Sequence, residues 1–518
     1  MKCIHVRSVL VLTLLLSVLT TLAQAQSYKT WSEVDLYTHG KDKVLKGHDL
    51  ESAISMLSAL VARKPGDADY QMMLGSACVS RLASLHSAAE DAKIIEGARR
   101  SYQKRVKIWQ QMQDDPALPL FGKPQPVAPA DPNTPDDGKT YDPQDPTTQK
   151  QMTDLSLLSL HSFHEAIRLG GSLAPKHKTQ VDYSCGWGLL LLYRSAKESI
   201  KYQEAPTPAK TENTTLPTQA DQEDKILTHE EIIACFQACV DANSKNADYW
   251  QSLAFAYAPD YLTDVITSSD AKNLAESNAN KIEDAFRCLQ HALTLKRADP
   301  DLLYQAALVS SISLPDKALG CLQKLTGVQN ANAVNFYLLA EAYCKQAEHL
   351  VGSQALQAKQ DALSAIESGN QAPQYYNVEM ILPLPKLLAP AWTYHWTYGL
   401  GLDSRCLDSL FGFLYSAASD ATQHKEGDFL MRCGVAMMNM GLTALRHYDG
   451  TDLAPSDLRT NVILYGRAFQ GMVSCGKGYK LIQTAAVMSP SPVNISAAEE
   501  YAQSAAYWRA WDTALIQK

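Results

Sequence analysis

The sequence predicts an all-α protein built as a solenoid of helical hairpins, and three observations predict this fold class. Apolar residues recur at the three- and four-residue spacing of amphipathic helices over much of the chain. One two-helix pattern returns several times, with a break at a fixed place. Stretches in which apolar and polar residues alternate, as they do in half-buried strands, are nearly absent.

The repeated pattern is found in residues 49–74, 229–257, 283–307 and 316–343, which align without gaps. In the first helix of each copy, a small or apolar residue is followed one helical turn later by a large apolar residue. These pairs are Ala53 and Leu57, Ile232 and Phe236, Ala285 and Leu289, and Ala318 and Leu322. Small residues at a fixed place let two helices approach closely while large neighbours fill the space. We therefore expect each copy to pack as a hairpin.

Two successive helices in the middle of the chain resemble the tetratricopeptide repeat family. The residues that carry the resemblance are Trp250, Leu253, Ala254 and Tyr257, followed by Ala285, Leu289 and Ala292. Of the copies, the first alone keeps the family's proline (Pro65) and its glycine (Gly75). The resemblance covers residues 49–80 and 229–345 and implies a right-handed, tetratricopeptide-like solenoid. After residue 350 the pattern stays helical but loosens, so we expect an irregular C-terminal helical region.

The resemblance also implies a function, namely a non-enzymatic scaffold that binds another protein or a peptide on its concave face. The family's hairpin begins with the helix that carries the aromatic residue, which is the second helix of each copy described above. In the family, ligand-facing residues lie on that helix, one and five places after the aromatic position. The matching residues are Gln251, Phe255, Tyr304, Leu308, Tyr337 and Glu341. They lack the Lys, Asn and Arg set with which some family members bind a peptide's C-terminal carboxylate, so we do not expect that mode.

Proline content divides the chain. Residues 115–150 contain nine prolines, so neither a helix nor a central strand is expected there. The predicted organisation is a signal peptide (1–25), an N-terminal helical region with the first hairpin (26–114), a Pro-rich loop or linker (115–150), a helical pair (151–203), a polar linker (204–225), the repeats (226–350) and a C-terminal helical region with degenerate repeats (351–518).

The N-terminus has the pattern of a secretory signal. Lys2 and Arg7 precede an apolar stretch at residues 9–22, and Ala23-Gln24-Ala25 supplies the small-x-small pattern of a cleavage site. The stretch is shorter than the roughly 20 apolar residues that span a bilayer. We therefore expect cleavage after Ala25 and an exported protein, either periplasmic or extracellular. No cysteine follows the predicted cleavage site to carry a lipid.

Composition excludes several classes of protein. The chain has 518 residues, of which 46% are hydrophobic, and this is typical of a globular protein rather than a disordered, collagenous or polytopic membrane protein. Its net charge of −8, without a basic patch in the sequence, argues against a nucleic-acid partner.

Local motifs predict no catalytic residue, no metal ligand and no cofactor. His161 and His164 share a helical face, but isolated surface histidines are the commoner explanation. Residues 471–478 nearly spell a phosphate-binding loop, yet Gly478 stands where a Ser or Thr should hold magnesium. An enzyme whose dispersed residues leave no local signature remains an alternative.

The densest aromatic run suggests a second function. Trp392, Tyr394, Trp396 and Tyr398 lie close together next to a proline-rich stretch that we expect to be irregular, residues 380–390. Flat rings can stack on sugars or peptides. An exported carbohydrate-binding protein is therefore the alternative function, and packing of these rings in the C-terminal helices is the alternative to any site.

The cysteines are predicted to be mostly buried and unpaired. Cys235, Cys288 and Cys321 occupy the same place in three copies. Stacked helices lie roughly 8–10 Å apart, beyond the roughly 7 Å Cα separation that a disulfide tolerates. Equivalent cysteines in adjacent copies should therefore stay reduced.

Overall fold

The computed structural model describes Tyr28 and residues 30–85, 146–203, 227–258, 279–311, 314–328, 331–372, 383–389, 401–448 and 474–502. Within these ranges every regular element is an α-helix, which confirms the predicted all-α fold class. In the same ranges, no helix combines the length and the apolar character that a bilayer crossing requires.

We number the helices in chain order. They are α1 (Glu33–Lys46), α2 (Leu50–Arg63), α3 (68–85), α4 (Pro146–Gly170), α5 (Pro175–Gln203), α6 (His229–Ala242), α7 (Ala247–Tyr257), α8 (Ala279–Leu295), α9 (Pro300–Ser310), α10 (Pro315–Thr326), α11 (Ala333–His349), α12 (Gly352–Gln371), α13 (Gly401–His424), α14 (Gly427–Tyr448), α15 (474–488) and α16 (492–502).

The breaks in the repeated pattern are helix N-caps. Asn246 accepts a hydrogen bond from the backbone N–H of Asp248 at 2.9 Å, which starts α7. Asp299 does the same for Leu302 at 3.1 Å and is followed by Pro300, a residue that suits the first helical position. Short polar side chains thus start the helix that follows each of these breaks.

One predicted boundary is wrong. Helix α4 begins at Pro146, inside the stretch 115–150 that was expected to contain no helix. Proline opposes a helix interior but is accepted at the first position, because its missing N–H has no partner there in any case. Residues 86–145 lie outside the described residues.

Consecutive helices pack as hairpins. Contacts join α1 to α2, α5 to α6, α7 to α8, α9 to α10, α11 to α12 and α13 to α14. Helix α3 pairs with α4, where the hydroxyl of Ser159 donates to the carbonyl of Gly75 at 3.1 Å. Each hairpin also contacts the next, so the hairpins form a solenoid. Odd-numbered helices are therefore first helices and even-numbered helices are second helices.

The first helices form one continuous layer, which we call the first-helix layer. His177 of α5 lies 3.0 Å from a carboxylate oxygen of Asp69 in α3. Trp187 of α5 donates to Ser252 of α7 at 3.1 Å. A buried bond between glutamine side chains joins α7 to α9. Hydrogen bonds thus connect neighbouring first helices from α3 to α9.

The second helices are joined differently, by charged side chains at the surface. Lys281 of α8 lies 3.6 Å from Glu230 of α6, and Lys317 of α10 lies 3.6 Å from Glu283 of α8. Such exposed pairs contribute roughly 0–1 kcal/mol each. The second helices therefore form the outer layer, facing water.

Burial separates the two layers. All residues from Leu302 to Ser310 in α9 are buried, whereas α10 buries one stripe composed of Ala318, Cys321, Leu322 and Leu325. A helix that is buried all round is covered on every side, while a helix with one stripe has a free face. The first helices α7 and α9 are thus interior elements, whereas α1 at the N-terminal end buries only one stripe.

The interior has two apolar clusters. The N-terminal cluster includes Leu36, Leu57 and Leu60. The main cluster runs through the remaining hairpins and includes Trp187 and Phe236. The residues of the repeated pairs, from Ala53 and Leu57 to Ala318 and Leu322, are all buried in the structure, as the pattern predicts.

Candidate functional site

The structure places the six predicted ligand-facing residues on first helices, but it does not bring them to an open groove. Five of them are buried, namely Gln251, Phe255, Tyr304, Leu308 and Tyr337. Glu341 is half-buried and pairs with Lys345 of its own helix at 3.1 Å. The six residues therefore do not form an exposed surface, and their role in binding stays a prediction.

The physical reason is visible in the sequence of the first helices. Helix α9 reads PDLLYQAALVS, with apolar or small residues on every side. A helix that is apolar all round cannot leave one face in water without exposing large side chains. This signal could have corrected the prediction, because a groove-lining helix needs a polar or mixed free face.

Two of the predicted residues instead join neighbouring helices. The amide of Gln251 donates to the side-chain oxygen of Gln305 at 2.7 Å. The hydroxyl of Tyr337 donates to Asn370 of α12 at 3.0 Å. Within the described part of the chain, the buried amide nitrogen of Gln305 has no hydrogen-bond acceptor, and this costs roughly 1–3 kcal/mol.

Tyr183 of α5 lies at the centre of a polar group in the first-helix layer. Its hydroxyl oxygen is 3.2 Å from that of Ser252, and its ring is 5.1 Å from the ring of Tyr249. Burial raises the pKa of Tyr183 to about 12. The hydroxyl therefore stays protonated at neutral pH and remains a hydrogen-bond donor.

The acceptor of the Tyr183 hydroxyl is a backbone carbonyl far along the chain, that of Pro383. Pro383 begins the short segment 383–389, which reads PLPKLLA. Residues 383–385 have no regular secondary structure and residues 386–388 form a turn. The sequence predicts an irregular stretch here, but it does not predict that this stretch packs on the first-helix layer.

Leucines of the segment 383–389 pack into the protein. Leu388 is fully buried, and Leu384 packs against the main cluster. Leu387 packs against both the main and the N-terminal clusters. Lys386 is exposed to solvent. The segment thus lies on the helical array as a bound peptide would, with its apolar side chains inward and its charge outward.

The other candidates from the sequence do not assemble into sites. The alternative aromatic residues, Trp392, Tyr394, Trp396 and Tyr398, lie outside the described residues. His164 lies 3.7 Å from Glu231, and among the residues that the structure describes no group of His, Cys, Asp or Glu is arranged to hold a metal. Residues 474–478 of the loop-like motif belong to α15, where Lys477 lies over the ring of Tyr415.

The cysteines are free and buried wherever the structure describes their side chains. Cys235, Cys288 and Cys321, which occupy equivalent places, are among them, and the structure forms no disulfide between them. Burial raises the pKa of the Cys235 and Cys288 thiols to about 12. The thiolate is the reactive form, so these side chains are inert core residues at neutral pH.

This burial predicts the thiol chemistry of the folded protein. At pH 8 we expect Cys235 and Cys288 to resist a thiol-specific aromatic disulfide reagent, and to react after unfolding in urea. Since thiols in the unfolded chain ionise at the ordinary pKa of 9.0 and folded ones near 12, the free energy of unfolding should fall as the pH rises between these values. Mass spectrometry of the labelled sites checks the expected resistance of the two thiols. Rapid labelling of either residue in the folded protein would contradict it.

Comparisons with known proteins give limited information. No family model matches the chain, and no curated protein matches it. Among solved structures, yeast Tom70 is 11% identical with a TM-score of 0.19, covering 95% of this chain and 92% of the other. The APC/C hetero-tetramer Cut9–Hcn1 is 12% identical with a TM-score of 0.17, covering 93% and 98%. Naa15/Naa10 bound to HypK is 11% identical with a TM-score of 0.12, covering 94% and 100%. None superposes well enough to transfer a function.

Proposed function

We propose that the chain is a non-enzymatic scaffold that binds an extended segment of another protein on its first-helix layer, beside Tyr183. The observation that supports this proposal is the segment 383–389, which lies on that layer in an extended and turned conformation. A layer that holds a short proline- and leucine-containing stretch of its own chain has the chemistry to hold such a stretch of a partner.

The chemistry of the site fits peptide recognition. The protonated Tyr183 donates to a backbone carbonyl, a group that every peptide offers. The half-buried ring of Tyr249 gives apolar surface for side chains, and the fully buried Phe236 packs against the Tyr183 ring from the core. Aromatic anchors with a few polar groups are typical of sites that bind peptides. We assign no catalytic residue, metal or cofactor to this site.

Photo-crosslinking tests the proposal. A benzophenone amino acid is placed at Tyr249, which is half-buried beside Tyr183, and at the exposed Gln290 of α8 as the matched control. In a native extract, we expect position 249 to capture one defined partner through a single contiguous segment. The purified partner should then bind the unmodified protein. Equal capture from both positions, or capture from neither, would refute the site.

As a second candidate function, we propose that the chain binds carbohydrate through its aromatic run. The aromatic run 392–398 follows the segment 383–389 almost directly in sequence. Flat aromatic rings suit stacking on a sugar. Binding on a glycan array that disappears with Trp396→Ala supports this function, and an array without any signal removes it.

Export is also a proposal, based on the signal-like residues 1–25. N-terminal sequencing of the protein from its native source should begin at Gln26. A native protein that begins before Gln26 would contradict the proposed cleavage.

A further inference from the structure

The segment 383–389 meets the solenoid at a point distant in sequence. Pro383 lies 200 residues from Tyr183, whose hydroxyl binds its carbonyl. Leu387 contacts the N-terminal cluster and the main cluster at once. The segment therefore occupies the same part of the first-helix layer to which the proposed function assigns a partner.

We propose that residues 383–389 are a built-in competitor, which a partner segment of matching chemistry must displace before it binds. This inference rests on the proposed function and adds both the class of partner and the regulation of the site. The free protein is then largely closed, and the affinity measured for a partner is lowered by the small fraction of molecules whose segment is released.

The chemistry of the segment defines the partner. Pro383 and Pro385 have no N–H and favour an extended backbone, so recognition uses carbonyls and side chains instead of a strand ladder. Leu387 and the buried Leu388 require apolar pockets, whereas the side chain of Lys386 is exposed and needs no pocket. The partner should thus offer an extended Pro-x-Pro stretch followed closely by a pair of leucines.

The segment is also suited to release. Residues 383–388 form neither helix nor strand, and the backbone hydrogen bond from the N–H of Leu388 to the carbonyl of Pro385, at 2.9 Å, lies within the segment itself. Leaving the layer therefore breaks no helix or sheet, and segments of this kind open locally at a fraction of the cost of global unfolding.

Peptide binding to the full-length protein tests the inference. The probe is a fluorescent peptide with the sequence of residues 381–390, ILPLPKLLAP, measured by polarisation. The test variant carries Leu387→Asp and Leu388→Asp, which charge the buried side of the segment. The matched control carries Lys386→Asp at the exposed position of the same segment. A peptide with both leucines replaced by aspartate controls for specificity.

We expect the test variant to bind the peptide about 10- to 100-fold more tightly than the wild type, with the Lys386→Asp protein resembling the wild type. The single change Leu387→Asp, at a half-buried position, should give an intermediate gain and keeps the test valid if the double variant unfolds. Circular dichroism confirms that each variant is helical.

Three results would overturn the inference. Equal affinity of wild type and folded variant means that the segment does not compete. Absence of binding to any folded variant means that the site does not select this chemistry. A wild-type dimer that dissociates on Leu387→Asp means that the segment comes from a second copy. The proposed function is judged separately, because crosslinking from position 249 can succeed in each of these cases.

Discussion

Replacing Gly188 by alanine is expected to destabilise the protein by about 2–3 kcal/mol. A Cβ atom at this position in α5 would lie 2.1 Å from Cζ of Phe163 in α4. Phe163 is fully buried and also touches the site of Gly75 in α3, where an added Cβ would lie 2.8 Å from its ring. The ring is thus held between α3 and α5, which both approach it closely because their contacting residues are glycines.

Two comparisons make the Gly188 prediction specific. Gly320 lies in α10 with nothing within 4 Å of an added Cβ, so Gly320→Ala should stabilise the protein by roughly 0.5–1 kcal/mol through helix propensity. Adding Phe163→Leu to Gly188→Ala should recover part of the loss, because the smaller side chain makes room. Urea unfolding gives the free energy of unfolding of each of these variants. Equal effects of Gly188→Ala and Gly320→Ala would show that α4 and α5 do not pack as described.

Replacing Trp187 by alanine should cost about 3–5 kcal/mol. Trp187 is fully buried at the meeting point of three helices, with ring centroids 5.7 Å from Phe236 of α6 and 5.9 Å from Phe255 of α7. Its loss leaves a cavity and removes the hydrogen bond to Ser252. Because these contacts join successive hairpins, the cavity weakens the array itself rather than one helix.

Trp250→Ala is the matched control for Trp187→Ala. Trp250 stacks on His291 at 4.5 Å but is partly exposed, so we expect a loss of about 1–2 kcal/mol. Urea unfolding followed by circular dichroism gives both values without relying on tryptophan fluorescence. A smaller loss at Trp187 than at Trp250 would contradict the burial of Trp187 between α5, α6 and α7.

The hairpins could be predicted from the sequence because their determinants are local. Ala285 and Leu289 are one helical turn apart, and their spacing alone places both on one face of a helix. Their burial in the structure follows from that face. The N-caps Asn246 and Asp299 are equally local, since each side chain binds a backbone N–H two or three residues away.

The binding site could not be predicted in the same way, because it depends on contacts between distant residues. The apolar sequence of α9 indicates that Tyr304 is buried, but it does not indicate which part of the molecule covers this side chain. The bond from Tyr183 to Pro383 joins residues 200 positions apart. The available signal was the apolar character of PLPKLL, since a solvated loop has little reason to contain three leucines.

Intramolecular crosslinking shows whether the segment 383–389 packs on the first-helix layer beside Tyr183. The benzophenone amino acid at Tyr249 is irradiated in the purified protein without a partner, and the crosslinked peptides are mapped by mass spectrometry. We expect a crosslink from position 249 to residues 383–389, and none from position 290. Crosslinks from position 249 that reach neighbouring helices but never residues 383–389 would contradict it.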